Sequence, residues 1–533
     1  MFRLRSETIV FWGLISVVLV TSAIRIRLLS VPLERDEGEY AYAGQLILQG
    51  IPPYTLAYNM KMPGIYAIYT GILFVFGQTQ TGIHLGLLVF NLAAIALIYF
   101  LANKLFGQIA ACAAAASYAI LSVGMKVQGV FANSEHFLLV PALGGLLLLL
   151  MFTENRKLNF LLYSGLLLGV SFIVKQFAIA FILFGFFFLI YSELREKNRL
   201  TGVLRDIVLF LFCVTAPFLL TCLLFWMLGV FDKFWFWTVQ YSREYVTQRS
   251  LAESLPGLRM IFPPIVFSAI LIWVCALVGF VCLFIKKEYR TRSIFMVAFL
   301  FFSVLSVVPG FFFRAHYFVL MLPAIALLFG ILFAGLWNQS SGKAAAVFIA
   351  AIVFLFSLFQ QRTFFFRLTP LQAARHVYGS NPFPEALQIA KYISDNSLYF
   401  ETVAIIGSEP EIYFYSKRHS ATGYIYMFPM LERQRYAEQM QQDMMKQIEK
   451  NQPKYIVVSF GPGWLSAEFR GKQQTPNNIL PWAQKFTGEF YKQVGLVELT
   501  PQSTHYYWGP QLVEHLPSSG MFIMIFERKI NLL

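Results

Sequence analysis

Long apolar stretches interrupted by short charged segments dominate the first two thirds of this chain. A helix needs about 20 apolar residues to cross the hydrocarbon core of a bilayer. Runs free of Asp, Glu, Lys and Arg occur at 8–24, 62–103, 105–125, 136–153, 158–174, 176–192, 207–231, 260–285, 293–313, 315–342 and 344–361. The second run is long enough for two passes, so the pattern predicts an α-helical polytopic membrane protein with about 11–13 transmembrane helices.

The positions of Lys and Arg predict the orientation, because short cytoplasmic loops carry an excess of both residues. Glu193–Arg199 and Lys286–Arg292 are the most basic short loops, so we expect them in the cytoplasm together with the N-terminus. This places the 231–259 loop and everything after residue 361 outside. An inside-to-outside path needs an odd number of spans, and the short, Tyr-rich stretch 62–78 is the best candidate for a false one. The sequence therefore predicts eleven spans, with thirteen as the alternative.

Composition supports this class. Hydrophobic residues make up 57% of the chain and charged residues 13%, about half the charged share of a soluble protein. A nucleic-acid-binding protein with a net charge of +14 would cluster its basic residues on one soluble face. Here the basic residues punctuate apolar runs, so we expect membrane lipids and no nucleic acid as partners. The interpretation is an integral membrane protein; its placement in a bacterial inner membrane is an expectation that rests on the family resemblance given below.

The last third is more polar, and we expect it to form a separate soluble domain. Of the 70 charged residues, 31 follow residue 360. Apolar spacing and β-branched runs predict helices at 383–396 and 431–450, strands at 402–407, 454–460 and 521–529, and loops at Gly461–Asn478 and Pro501–Gly520. We therefore divide the chain into a membrane module, residues 1–360, and an external, periplasmic α/β domain, residues 361–533, which caps the module or binds an acceptor.

The first external loop, residues 30–62, carries the densest charge cluster of the first 150 residues. Asp36, Glu37 and Glu39 lie near its start, and Lys61 lies near its end. Charges at a helix end are most often a solvated collar, and composition alone slightly favours that reading. The alternative is chemical, since a carboxylate can accept a proton while a nearby cation stabilises a leaving phosphate.

Several motifs give this loop a family resemblance. Asp36-Glu37-Gly38-Glu39-Tyr40, the turn Pro52-Pro53-Tyr54 and the return Lys61-Met62-Pro63 resemble the first-loop signature of the GT-C glycosyltransferases. The similarity is to the branch that contains protein O-mannosyltransferases and the lipid A aminoarabinose transferase. Phe313-Arg314-Ala315-His316-Tyr317 and the segment Glu409–Tyr415 resemble two later segments of the same family.

The resemblance implies an inverting transferase that moves a sugar from a polyprenyl-phosphate donor to an acceptor hydroxyl outside the membrane. It makes Asp36 the general base, with Glu37 beside it as the second catalytic carboxylate. The implied donor-phosphate residues are Lys61 and Arg314, with Tyr317 and Tyr40 as hydrogen-bond donors. The acceptor is left open as a glycan, a lipid or a protein.

Other ionisable residues near the membrane are candidates for the cavity or the acceptor site: Glu135, His136, Lys175 and Arg243. A helix-end cap competes for Glu135, snorkelling to the surface competes for Lys175, and plain solvation competes for Arg243. Met60 stands where the aminoarabinose transferases place a metal-binding Glu, so no cofactor is certain and a divalent metal stays open. The alternative function is a flippase or transporter of lipid-linked glycans, and a third is a membrane scaffold that binds through its tail.

Overall fold

The computed structural model describes residues 2–196, 199–285, 290–339, 342–460, 475–500, 503–515, 517 and 519–529. Helices fill most of the first 360 residues, because in lipid a helix satisfies its own backbone hydrogen bonds. They are α1 (Phe2–Arg27), α2 (Arg35–Leu48), α3 (Pro63–Phe76), α4 (Gln80–Phe106), α5 (Gln108–Ser122), α6 (Ser134–Asn155), α7 (Leu158–Val174), α8 (Ile179–Arg195), α9 (Leu200–Met227), α10 (Phe231–Trp235), α11 (Ser242–Val246), α12 (Leu251–Phe267), α13 (Ile270–Ile285), α14 (Arg290–Leu305), α15 (Leu322–Trp337) and α16 (Gly342–Gln360).

Seven helices in the described part of the chain are long and apolar enough to cross a membrane. A further pair, α12 and α13, meets the same criterion together but bends by 92° at the break between them. Four shorter apolar helices are Pro63–Phe76, Gln108–Ser122, Leu158–Val174 and Arg292–Leu305. The expected polytopic helical fold is confirmed. The number of eleven spans stays a prediction, because it also counts three of the shorter helices.

Helix α3 occupies the stretch that the charge pattern marked as a false span. Its 14 residues are about 21 Å long, against a hydrocarbon core of about 30 Å. At its start, a Cβ on Gly64 would meet the backbone of Ile173 at the end of α7. Just beyond its other end, Gln78 accepts a hydrogen bond of 3.0 Å from Gln45 of α2. Lys61, two residues before α3, also pairs with Asp36 at the start of α2. Both ends of α3 therefore lie beside α2, which supports the interpretation that α3 is not a span.

Two arginines at the end of α1 run against the charge rule, and the structure gives a physical reason. Arg25 is buried and donates to the carbonyls of Gly129 (2.7 Å) and Ser122 (2.8 Å). The Arg27 guanidinium donates to three carbonyls beyond α16, those of Phe364, Phe365 and Leu368. These side chains bind carbonyls that would otherwise lack donors, so they join helix ends instead of marking a cytoplasmic loop.

The region after residue 361 folds around a five-stranded sheet. Its strands are β1 (Val403–Ile406), β2 (Tyr455–Phe460), β3 (Tyr491–Leu499), β4 (Thr504–Trp508) and β5 (Phe522–Arg528), in the order β1-β2-β5-β3-β4. Only β1 and β2 pair in parallel; the other pairs are antiparallel. Its helices are α17 (Pro370–Tyr378), α18 (Phe383–Asp395), α19 (Glu411–Ser416), α20 (Phe428–Leu431), α21 (Ala437–Asn451) and α22 (Ile479–Phe490).

Parts of this region differ from the sequence prediction. Pro501–Gly520 was expected to be a loop, but it contains β4 and a short 3₁₀ segment, Gly509–Glu514. The polar helix expected from residue 431 begins at Ala437. Residues 461–474 of the other expected loop lie outside the described residues. Strand β3 was not predicted; it pairs with β5 through a register shift between Gln493 and Gly495, which breaks the two-residue alternation that reveals a strand.

Candidate functional site

Helix α2 begins with a capping box that orders the acidic cluster. Glu34 is the N-cap residue, and its side chain accepts a hydrogen bond from the backbone N–H of Glu37. In return, Glu37 accepts one from the N–H of Glu34 at 2.9 Å. Carboxylates in the first turn also complement the positive end of the helix dipole. The acidic residues thus fix the start of α2, in addition to any chemical role.

Glu37 is buried, and its hydrogen bonds link separate segments of the fold. It is fully buried, and one of its oxygens contacts His84 Nε2 of α4 (2.9 Å) and the backbone N–H of Ala132 (2.5 Å). With the capping bond to Glu34, this joins α2, α4 and the segment before α6. Both oxygens are engaged, so the structure does not open Glu37 to a substrate as it does Asp36.

Asp36 has a different environment from its neighbour. Its Oδ2 lies 2.8 Å from the Lys61 Nζ, and the two side chains keep 20% and 18% of their surface exposed. Burial disfavours the charged carboxylate, but the Lys61 ammonium, together with His316 and Lys175, outweighs this effect, so the pKa of Asp36 lies well below its ordinary value. The neighbouring Arg35 turns its guanidinium toward the region after residue 361, called the tail domain below, and donates to the Ser408 carbonyl at 2.5 Å.

The rest of the loop holds Lys61 in place. The Tyr54 hydroxyl donates to the Lys61 carbonyl at 2.7 Å, so the Pro-Pro-Tyr turn fixes the backbone beside the amine. The Lys61 Nζ lies 5.4 Å from the centre of the Tyr40 ring, within cation–π range. Tyr40 is buried, and its hydroxyl makes no hydrogen bond among the described residues. Its contact with the cation is therefore through the ring, and the expected hydrogen bond from its hydroxyl to a donor phosphate stays a prediction.

Glu39 faces into the protein on the other side of α2. Its two oxygens accept hydrogen bonds from Asn59 (2.7 Å) and Tyr66 (2.6 Å). Burial raises the pKa of Glu39 to about 7, because the charged form loses its hydration. Glu39 is thus a buried, hydrogen-bonded residue whose carboxyl group gains or loses its proton near neutral pH.

A second polar cluster includes three of the remaining candidates. Lys175 forms an ion pair with the fully buried Glu135, and its Nζ lies 4.7 Å from the Tyr317 ring centre. His316 Nε2 lies 3.9 Å from Glu135. Lys175 is therefore paired inside the protein and does not snorkel. His136 is also buried, but neither of its ring nitrogens finds a partner among the described residues.

The last two candidate residues, Arg314 and Arg243, are both exposed on the surface, here called the rim of the site. Arg314 is exposed, with its guanidinium carbon 5.7 Å from the Phe312 ring centre. Arg249 lies 4.5 Å from the same ring, and Tyr245 stacks on that ring at 4.3 Å with an interplanar angle of 7°. Arg243 is exposed. The structure thus adds Arg249 and Tyr245 to the surroundings of Arg314, whereas no ion pair of the Arg243 side chain is found among the described residues.

The tail domain packs directly against the acidic motif, which sequence reasoning missed. Gly38 touches α19 so closely that a Cβ there would lie 2.6 Å from the Cβ of Glu411. The Tyr415 hydroxyl accepts a hydrogen bond from the Leu33 N–H at 2.8 Å. The Tyr426 hydroxyl donates to the Arg35 carbonyl at 3.0 Å and lies 3.4 Å from Asp36 Oδ1. The glycine between two acidic residues is the one sequence signal of this contact.

The residues present do not fit a resident divalent metal. Among the described residues, no group of three or more His, Cys, Asp or Glu side chains is arranged so that it could hold a metal ion. Asp36 already faces an ammonium group. Met60 offers only a thioether, a soft ligand that suits hard divalent cations poorly. We therefore assign no chemical step to a metal.

Comparisons with known proteins agree with this architecture. Residues 60–220 match the family model described as dolichyl-phosphate-mannose-protein mannosyltransferase. No curated protein sequence matches the chain. Among solved structures, ArnT from Cupriavidus metallidurans in the apo state superposes with a TM-score of 0.59 at 15% identity, covering 96% of this chain and 97% of that one.

Two further solved structures contain a bound lipid phosphate. ArnT from the same organism bound to undecaprenyl phosphate gives a TM-score of 0.56 at 16% identity, over 84% of this chain and 92% of that one. The archaeal oligosaccharyltransferase AglB from Archaeoglobus fulgidus, in complex with an inhibitory peptide and a dolichol-phosphate, gives 0.53 at 12% identity, over 96% and 75%. At these identities the likeness establishes the fold. With the family match, it confirms the resemblance to the GT-C branch predicted from the first loop.

Proposed function

We propose that this chain is an inverting glycosyltransferase that moves a sugar from a polyprenyl-phosphate donor to an acceptor hydroxyl, with Asp36 as the general base. The observation that carries the proposal is the partly open Asp36–Lys61 pair, set in a loop whose other carboxylates are buried. An ionised carboxylate and a cation at one opening are the two charges that this reaction needs. The shared fold and the lipid phosphates named for its relatives support the donor class.

The reaction is a single displacement. The acceptor oxygen attacks the anomeric carbon on the face opposite the phosphate, and the bond from that carbon to the phosphate oxygen breaks. The acceptor proton passes to Asp36, which later releases it to water. The products are a glycoside of inverted configuration and the polyprenyl phosphate. That leaving group is already stable as an anion, so it needs charge neutralisation more than a proton.

Lys61 links donor binding to the basicity of Asp36. While Lys61 pairs with Asp36, the carboxylate is ionised but a weak base, since its pKa lies far below neutral. A donor phosphate competes for the same ammonium group. As Lys61 turns toward the phosphate, the pKa of Asp36 rises toward the range in which general-base catalysis is effective. The base therefore becomes competent when the donor is bound.

Other side chains assist in binding. Arg314 supplies a second cation for the phosphate from the rim, and Tyr317 borders the paired Lys175 inside the site. Glu135 holds Lys175 and His316 in place. Glu37 acts as a positioning residue through His84 and Ala132.

We place this site on the external face, with the N-terminus in the cytoplasm and residues 361–533 in the periplasm. The charge pattern supports this orientation, and the contacts between α2 and the tail domain require both to lie on one side. Reporter fusions in the Lys286–Arg292 loop and at the C-terminus test it. We expect opposite signals, and equal signals at the two sites would contradict the orientation.

The activity is tested with the purified chain in lipid nanodiscs. The donors are polyprenyl-phosphate mannose and polyprenyl-phosphate aminoarabinose, each with a labelled sugar, and an envelope extract supplies the acceptors. We expect release of polyprenyl phosphate with one of them, and label in a new glycoside. A flippase would instead move the intact lipid across a vesicle membrane without releasing phosphate. That outcome would replace the proposal.

A further inference from the structure

The tail domain reaches the acidic motif with one side chain that contacts the carboxylate itself. Tyr426 precedes α20, and its hydroxyl lies 3.4 Å from Asp36 Oδ1 and 3.0 Å from the Arg35 carbonyl. Lys61 approaches the other oxygen, Oδ2, at 2.8 Å. Within the described residues, these are the two side chains recorded within hydrogen-bond range of the Asp36 carboxylate. One comes from the loop itself and the other from a domain that begins more than 300 residues later.

The position of Tyr426 is fixed by contacts of the two residues that follow it. The next residue, Met427, donates its N–H to the Ser408 hydroxyl at 3.0 Å. The carbonyl of the same Ser408 accepts a hydrogen bond from Arg35. Arg35 also lies over the Phe428 ring, 5.1 Å from its centre. The tail domain thus binds Arg35, the residue before Asp36, through Ser408 and Phe428. These contacts set the distance between the Tyr426 hydroxyl and the Asp36 carboxylate.

We propose, on the basis of the proposed function, that Tyr426 is a positioning residue that holds the general base from the tail domain. A hydroxyl carries one proton, so the Arg35 carbonyl, Asp36 Oδ1 and the Glu39 carboxyl compete for it. When Lys61 turns to the donor phosphate, Tyr426 becomes the remaining side-chain donor to Asp36. It then holds Oδ1, so that the carboxylate does not rotate and Oδ2 stays directed at the acceptor proton.

This arrangement makes the tail domain part of the reacting site. A carboxylate that rotates freely spends little time in the productive orientation, and small displacements reduce rates strongly. The titratable groups that surround Asp36 are Lys61, Lys175, His316, Glu34 and Glu39. Of these, Glu39 also interacts with the Tyr426 hydroxyl, so the titration must be read with Asp36→Asn as the reference, which leaves the Glu39 signal in place and isolates that of Asp36.

The chain offers a matched control in Tyr415. Its hydroxyl also joins the tail domain to the first loop, at 2.8 Å from the Leu33 N–H, and it is likewise part-buried. No hydrogen bond between Tyr415 and Asp36 is recorded in the described part of the chain. Tyr426→Phe and Tyr415→Phe therefore each remove one hydroxyl from the same interface, and only the first removes a contact with the carboxylate.

The decisive measurement needs no substrate. Infrared difference spectra of the whole protein, with Asp36→Asn as the reference, follow the ionisation of the Asp36 carboxyl. We expect Tyr426→Phe to raise the pKa of Asp36, because the charged form loses a donor, and Tyr415→Phe to leave it unchanged. A 3-fluorotyrosine at position 426 has a more acidic hydroxyl and should shift the pKa in the opposite direction, even if the Phe variant is poorly folded.

Transfer assays complete the test with the same labelled polyprenyl-phosphate donors. We expect Tyr426→Phe to lower kcat about tenfold with the KM for the donor unchanged, and to move the acidic limb of the pH profile upward. Identical Asp36 titrations in the wild type, Tyr426→Phe and the fluorinated protein would overturn the proposal. Shifted titrations without turnover of any donor would instead count against the proposed function and leave the contact of Tyr426 with Asp36 established.

Discussion

Each end of the helical bundle carries a lysine–glutamate ion pair, but one pair is exposed and the other is buried. At one end, Lys104 pairs with Glu154, and these side chains are 34% and 50% exposed. At the other end, Lys175 pairs with Glu135 at 11% and 0%. Exposed pairs contribute little to stability, whereas a buried charge without its partner is costly. The comparison separates exposed charges at helix ends from charges that the fold pairs inside the candidate site.

The largest expected effect lies at Asp36. Asp36→Asn keeps the size of the side chain but removes its basicity, so single-turnover transfer with saturating donor should fall roughly 10²–10⁴-fold. Binding of polyprenyl phosphate should be retained, because Lys61 remains. Near wild-type transfer by this variant would show that Asp36 is not the general base. The charges at the two ends of the bundle would then differ only in burial. Asp36→Glu should also be impaired, since it moves the carboxylate by one methylene.

Lys61→Met comes next. It removes the ammonium group but keeps an unbranched side chain, and we expect donor use to weaken roughly ten- to a hundredfold at limiting donor. Loss of the cation also raises the pKa of Asp36, so the acidic limb of kcat/KM should move to higher pH. Arg314→Gln is the companion variant on the rim, with a smaller loss. Unchanged KM values in both variants would place the phosphate elsewhere.

Glu37→Gln tests whether the buried neighbour serves structure. The amide keeps one acceptor but presents a donor to groups that already donate, so we expect about 1–3 kcal/mol less stability and a smaller loss of transfer than for Asp36→Asn. Thermal unfolding and single-turnover rates measured on the same samples give the two numbers. A fully stable but inactive Glu37→Gln would move the base by one residue.

Glu39 gives a pH-dependent effect of intermediate size. Its folded pKa of about 7 exceeds the ordinary value of 4.5, so the folded state binds the extra proton in this window. Its stabilising contribution is complete below about pH 4.5 and declines as the pH rises toward 7. Glu39→Gln should flatten that decline in the unfolding temperature measured from pH 5 to pH 7.5. An equal slope in both proteins would contradict the assignment.

The smallest effect belongs to the opposite end. Lys104→Ala breaks an exposed pair, so the unfolding free energy should change by less than about 1 kcal/mol, and transfer should not change. This variant is the baseline for the others. A loss of transfer comparable to that of Lys61→Met would show that the opposite end also takes part in the site.

The sequence predicts the helical part well because each span must be apolar along its whole length. The site is harder to predict, since Asp36 and Glu37 are adjacent and chemically alike in the sequence. Their difference depends on His84, Ala132 and Lys61, which distant segments bring to one carboxylate or the other.

The same limit applies to the tail domain. Strands β1 and β2 are buried, and these two strands and β5 have apolar runs that the sequence reveals. β4 is only partly buried, and β3 contains the register shift, so both lack that signal. The contact of Tyr426 with Asp36 joins residues 390 positions apart, and no local pattern encodes such a pairing.

The close approach of Gly38 to Glu411 joins two segments that the ribosome makes at very different times. The first loop leaves the ribosome early, but the surface that covers it and the tyrosine that faces its aspartate are made hundreds of residues later. Until α19 and the segment around Tyr426 have folded, the acidic motif lacks one of its walls. The site is therefore completed last, and a chain truncated before these segments would insert its first helices while leaving the acidic loop unfinished.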